Sequence, residues 1–270
     1  MTRPRRTHAQ AREQMRRGIL TAGSKQLAER GAAALSVREI ARELGVASSA
    51  IYRHVANRDE LLTMLLVDAF TELAEAVLQA ADDAVLEDAA ADHAVPADAA
   101  VDDGAAADDD GAAADDAAAV DARAGACGVG GPGAELAAIA RTTRTWACAN
   151  PAKWGLIYGT PVPGYSAPAE QTTAPGVRVM GRFAAVLSAG RLAEAPPVSP
   201  EFRAELVSGG AEVGVHADPE LMAEALAAWT ALVGMISAEV FGHLGPELAE
   251  HGEEMLERWI AEVQRRFRLD

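Results

Sequence analysis

The chain has 270 residues, half of them apolar, and a formal net charge of −16. That is enough apolar material for one large domain or two smaller ones, and abundant Ala with few β-branched runs favours helices over strands. Two cysteines, Cys127 and Cys148, with no CxxC pair and no clustered His, exclude a disulfide scaffold and a zinc module, so a reduced, cytoplasmic setting without metal or cofactor is expected.

The acidic total hides an asymmetry. Within the first 58 residues Arg3, Arg5, Arg6, Arg12, Arg16, Arg17, Lys25, Arg30, Arg38, Arg42, Arg53 and Arg58 stand against only Glu13, Glu29, Glu39 and Glu43. Charges beyond about 8–10 Å are screened at physiological salt, so this local basic excess decides which partners the N-terminal end attracts. Such a split between basic and acidic parts suggests a nucleic-acid-binding end. The opening MTRPRRTHAQ leads into no apolar segment, and no run approaches roughly 18 uninterrupted apolar residues, so neither a leader nor a membrane span is expected.

Residues 1–10 read as a flexible basic arm. From about Ala11 to Arg30, Met15, Ile19, Ala22 and Leu27 recur at helical spacing, and Gly31 stands where a glycine would end the helix. Ser36 followed by Glu39 is a capping box that opens a second helix carrying Val37, Ile40, Ala41 and Leu44. Gly45 stops that helix after barely two turns, and Val46 can plug the core at the turn. A third short helix is expected from about Ala47 to His54, with Ile51 and Val55 inward. Residues 11–60 thus form one domain, with a helix-turn-helix at about 36–55. Asn57–Glu60 repeats the capping signature and opens a long linking helix over 58–80, through Leu61, Leu65, Ala69, Leu73 and Val77.

Residues 82–132 are nearly all Ala, Asp and Gly, too poor in apolar bulk to offset the entropy of ordering, and read as a disordered acidic insert. Residues 133–270 form a second helical domain. Its expected helices cover Ala134–Ala149, a short piece after Pro151, Gly176–Ala189, Pro200–Ser208, Pro219–Leu244 with Asp218 as cap, and Pro246–Arg268. The fold class is therefore all-α.

Three short helices with a tight glycine turn before the third make a helix-turn-helix, whose last helix enters a major groove about 12 Å wide. The outward positions of that helix, Ser48, Ser49, Tyr52, Arg53 and His54, carry hydroxyls and cations suited to phosphates and base edges. The run LSVREIARELGVASSAIYRHVANRDELLTMLL resembles the TetR-family DNA-binding signature at Ser36, Ile40, Ala41, Gly45, Val46, Ile51, Tyr52, His54 and Leu61. It departs at Ala47, where the family has a capping Ser, at Val55 for Phe, and at Arg58 for Lys. The resemblance implies that Tyr52 and His54 contact phosphates with Arg53 nearby, that Ser48 and Ser49 touch base edges, that Arg38 meets backbone or a base edge, and that Arg58 adds charge at the start of the fourth helix.

The segments TWACANPAKWGLIYGTPVPGY and AWTALVGMISAEVFGHL resemble the WHG-type C-terminal domain of one TetR subgroup, with Trp229 and Gly234 matching and Val233 at the usual His position. The resemblance implies a repressor that binds a palindromic operator on double-stranded DNA as a homodimer and releases it when a small-molecule effector binds. The last two long helices would pair with their copies, through Leu226, Trp229, Leu232 and Ile236 on one and Met255 and Trp259 on the other; the same residues could instead close the core of one chain. An apolar or aromatic ligand would meet Trp146, Trp154, Tyr158, Met180 and Phe183, or these side chains could simply pack. The chain carries no nucleophile elbow, P-loop, HExxH or paired carboxylates, so an enzyme is the weaker reading. A regulator answering to a protein partner is the other alternative.

Overall fold

The computed structural model of the chain describes residues 8–92, 131–192 and 194–269. Arg3, Arg5 and Arg6 of the expected arm, Cys127, and most of the expected acidic insert lie outside the described residues. Those described are helical, with no strand among them.

Helix α1 (His8–Arg30) begins three residues earlier than the periodicity suggests, inside the expected arm. Gly31, with φ at 74°, receives the chain after it. A single 3₁₀ turn (Ala32–Ala34) leads into α2 (Val37–Glu43), α3 (Ser48–Ile51) and the long α4 (Arg58–Asp92). Ile19, Leu27, Ile40, Ile51, Val55 and Leu61 close a first core among these helices.

α4 corrects two expectations at once. It does not stop at residue 80, and residues 82–92, assigned to the disordered insert, are helical. Past Ala81 the helix has little left to pack on: Val85 and Leu86 are exposed. It continues because Ala, Leu and Glu are strong helix formers, a local preference that the acidic composition of this stretch concealed.

The second half is a bundle of α5 (Pro132–Ala149), α6 (Pro151–Tyr158), α7 (Ala169–Gly176), α8 (Arg178–Ser188), α9 (Pro200–Glu212), α10 (Pro219–Val240), α11 (Gly245–Ala249) and α12 (Gly252–Phe267). Its core gathers Val77, Leu136, Phe183, Leu232, Ile260 and Phe267. The Asp218 carboxylate caps α10 as expected, accepting the Glu220 amide (2.9 Å), and Ser199 Oγ likewise caps α9 by accepting the Phe202 amide (3.2 Å). Other spans change. Helix α7 lies in a stretch with no expected helix before Gly176, tolerating Pro175 near its end, α9 runs past Ser208 to Glu212, and α10 ends at Val240, short of Leu244. The helix expected over Gly176–Ala189 starts at Arg178. The last expected helix, Pro246–Arg268, is broken into α11 and α12 by a turn at Glu250 and His251.

α4 is the common spine. Leu61, Leu62 and Leu65 belong to the first core, while Leu73, Val77 and Ala81 belong to the second. Lys153 of α6 grips α4 through Asp68 (3.4 Å) and Glu72 (2.6 Å), and Arg182 of α8 grips it through Asp82 while also holding Glu135 of α5. Arg144 of α5 meets Glu239 of α10 in a two-pronged pair (2.6 and 2.8 Å), the geometry in which a guanidinium fork matches a carboxylate.

Candidate functional site

The turn between α2 and α3 is built from few residues. Ser36 Oγ accepts the Glu39 amide (3.4 Å), which is half of the expected capping box. The other half differs. The Ser36 amide donates to the buried Gln26 side chain (3.1 Å), because the Glu39 carboxylate has swung to Arg30 (2.6 Å), which holds that carboxyl below its usual range. Gly45 takes a left-handed φ of 65°, and the Val46 amide closes back on Ala41 O (3.0 Å). A side chain at position 45 would strain the turn by about 1–2 kcal/mol. Val46 packs against the core as expected.

α3 is shorter than expected. Its regular part is Ser48–Ile51, with a looser turn through His54. Ala47 gives no side-chain cap, the weakness that its departure from the family pattern implies. Ile51 and Val55 are buried, which fixes the rotation of the segment. Ser48, Ser49, Tyr52 and Arg53 consequently face solvent, His54 is half-buried, and Arg38 is exposed on α2.

The structure sets Arg58 apart from this face. Its guanidinium donates to Ala32 O (3.0 Å) and lies near Asp59 (3.9 Å), tying the start of α4 to the 3₁₀ turn that follows α1. Asn57 caps α4 by accepting the Glu60 amide (2.8 Å). Sequence reasoning missed two residues beside the reading segment: Arg12 and Arg16 of α1 line one open cleft of about 550 Å³ together with Tyr52, Arg53 and His54. Their spacing of four along an exposed helix face was the available signal. Arg12, Arg38 and Arg53 form no ion pair among the described residues, whereas Arg17, Lys25, Arg30 and Arg42 are engaged by Glu13, Glu43 and Glu39. Two of the cations in the Tyr52 cleft, Arg12 and Arg53, are thus unneutralised.

In the second half, a cavity of about 250 Å³ opens between α8, α9 and α10. Two of the five expected ligand residues, Met180 and Phe183, line it. The other three do not. Trp154 is fully buried, its indole N–H donates to Ser237 Oγ (3.1 Å), and Tyr158 leans on it with ring centroids 4.5 Å apart. Trp146 is buried in the core. The cavity instead draws on Phe202, Leu206, Met222 and Trp229, residues on helices whose mutual packing no local pattern announces.

The expected dimer residues also separate. Trp229, Leu232 and Ile236 are buried in the core of their own chain, so they close the monomer and are not free to meet a copy. Met255 and Trp259 are half-buried, the latter stacked 6.2 Å from Phe183. Leu226 is 42% exposed. It begins an outward stripe on α10 with Ala227, Thr230, Ala231 and Gly234, ending near exposed Phe241. By length and composition α10 is apolar enough to cross a membrane, yet only 22% of its apolar window is buried. Val233, at the position where His is usual, packs against the core with part of its surface exposed. Among the described residues no group of three or more His, Cys, Asp or Glu could hold a metal ion.

Comparison with known proteins agrees with this architecture. The sequence model of bacterial regulatory proteins of the tetR family matches residues 19–65, and that of the tetracyclin repressor-like C-terminal domain matches residues 136–263. The HTH-type transcriptional regulators Rv1816 of Mycobacterium tuberculosis and Mb1846 of Mycobacterium bovis are each 37% identical over 243 residues, covering 88% of this chain and 86% of the relative. Among solved structures, one named as the regulatory protein SCO4313 superposes with a TM-score of 0.62 at 25% identity, covering 96% of this chain and 98% of its own. A protein of unknown function from Rhodococcus sp. RHA1 shares the fold at a TM-score of 0.54 and 19% identity, covering 92% and 94%.

Proposed function

The chain belongs to the TetR family of DNA-binding transcriptional regulators, and from that premise we propose that it is a homodimeric, cytoplasmic repressor, released from a palindromic operator by a small apolar or aromatic ligand in the α8–α10 cavity. The observation that carries the DNA contact is the rotation of α3. Ile51 and Val55 anchor it from below, so Ser48, Ser49, Tyr52 and Arg53 are exposed together, with Arg12 and Arg16 sharing the cleft of Tyr52 and Arg53. In this reading Tyr52, His54 and Arg53 hold phosphates, Ser48 and Ser49 reach base edges, and Arg38 adds a contact on the flank. Arg58 serves the head by fixing its helices and not by touching DNA.

The uncovered stripe of α10 supplies the dimer contact. Small residues at Ala227, Ala231 and Gly234 let two copies approach closely, and pairing them removes apolar surface from water at about 25 cal/mol per Å². A two-fold axis would then set the two reading heads on half-sites about one helical turn apart.

A route from cavity to head runs through α6. Trp154 ties α6 to Ser237 of α10, Lys153 ties it to α4, and Ala152 and Leu156 pack on the first core. A ligand that wedges α8 and α10 apart would therefore drag α6 and tilt the head. It shifts the equilibrium only by as much as it prefers the non-binding state. The test is operator affinity measured across a set of small apolar compounds that demonstrably bind the protein. Loss of affinity with binders is the expected result; constant affinity would overturn the release mechanism.

A further inference from the structure

We propose that the α8–α10 cavity selects a small amphiphilic organic cation, its apolar body against Phe183, Met222 and Trp229 and its positive charge beside Glu205 and Glu212. This rests on the ligand-cavity reading above and names the class of ligand that the cavity takes.

The argument is one of charge left unmatched. Among the side chains lining the cavity the only ionisable ones are Glu205 and Glu212. They stand seven residues apart on α9, two turns along one face. Both are exposed, and neither side chain makes an ion pair or hydrogen bond among the described residues, whereas Glu220 and Glu224 on the adjoining α10 are paired with Arg203 and Arg266. Between the two acids, Gly209 and Gly210 join Leu206 in the lining, so that part of the wall carries little side-chain bulk; Gly210 is also required by the close approach of the Val215 carbonyl. Gly209 is not required for packing, since a Cβ there would meet nothing within 4 Å.

A neutral apolar guest would lie against both carboxylates, stripping part of their hydration without return. An anion would add repulsion and find no lining cation to pair with. A cation removes both penalties, and the aromatic side chains Phe183, Phe202 and Trp229 in the lining suit a positive charge. The volume of about 250 Å³ limits the guest to something smaller than an ordinary drug-sized ligand.

The experiment is calorimetric titration of the full chain with benzyltrimethylammonium, its neutral isostere neopentylbenzene, and phenylacetate. The cation should bind about tenfold more tightly than the isostere at low salt, with the margin shrinking as salt is added because both carboxylates reach solvent. Phenylacetate should be the weakest. The doubly substituted Glu205→Gln, Glu212→Gln protein should bind the isostere as before and lose the preference. If the isostere equals or beats the cation, or the preference survives the double substitution, the charge selection is wrong and the cavity reading stands. If no probe binds, or binding persists when Met222→Trp fills the cavity, the ligand-cavity reading fails and takes the cation with it.

Discussion

Replacing Tyr52 by Phe removes one hydroxyl and nothing else from the proposed reading face. Tyr52 is 42% exposed and its ring lines the open cleft with Arg12, Arg16, Arg53 and His54, so folding should barely respond. A hydrogen bond from a neutral donor to a charged phosphate contributes about 1.5 kcal/mol at the low end of its range. A dimer makes the contact twice, giving about 3 kcal/mol, or roughly 150-fold in affinity. Because the hydroxyl carries no charge, the dependence of affinity on salt should keep its slope. Arg53→Gln should instead flatten that slope by about 0.9 per half-site, close to 1.8 for the dimer. The assay is fluorescence anisotropy on a labelled duplex over a salt series, with the base preferences of each variant compared. An unchanged affinity for Tyr52→Phe, or a loss confined to particular base pairs, would refute the phosphate assignment.

Arg58→Gln should lower stability by about 1–3 kcal/mol in urea titrations by breaking the tie to Ala32 O, and leave the salt slope intact; a flattened slope would return Arg58 to the DNA face. Ala231→Arg, on the uncovered stripe of α10, should give monomers in sedimentation experiments with folding preserved, and operator binding should fall steeply; an unchanged dimer would move the interface elsewhere. Burial pushes the Tyr158 hydroxyl up to about 12 from 10, so the folded state favours the neutral form. Its contribution is complete below pH 10 and is lost as the pH rises from there towards 12, at about 1.4 kcal/mol per unit. Tyr158→Phe should therefore show less loss of stability than the parent between pH 10 and 11.5 or so in denaturant titrations, and identical curves would contradict the burial argument.

The reading head was legible from sequence because its determinants are local. Ser36, Gly45, Ile51 and the Asn57 cap act within a few residues of themselves, and each fixes a start, a turn or a rotation. Arg58 escaped that logic. Its position in the motif suggested DNA, but the carbonyl it binds belongs to Ala32, twenty-six residues away, and only the packing of α1 on α4 brings them together. The same holds for the second half. Apolar spacing on α10 marked both Leu226 and Trp229 as interface candidates, yet which face turns inward depends on α8 and α12. The cavity depends on how three successive helices, α8, α9 and α10, pack on one another, which no spacing along one helix shows, so Met180 and Phe183 were found by residue type while Phe202 and Met222 were not. Composition misled at residues 82–92, where Asp-rich text covers a good helix former.

The central claim is that α3 reads duplex DNA as one half of a two-fold pair. Selecting bound duplexes from a random pool with the purified full chain at low salt, with and without apolar compounds, addresses it directly. Two inverted half-sites about one helical turn apart should be enriched. A pool that stays random under both conditions, or a single unrepeated half-site, would contradict it.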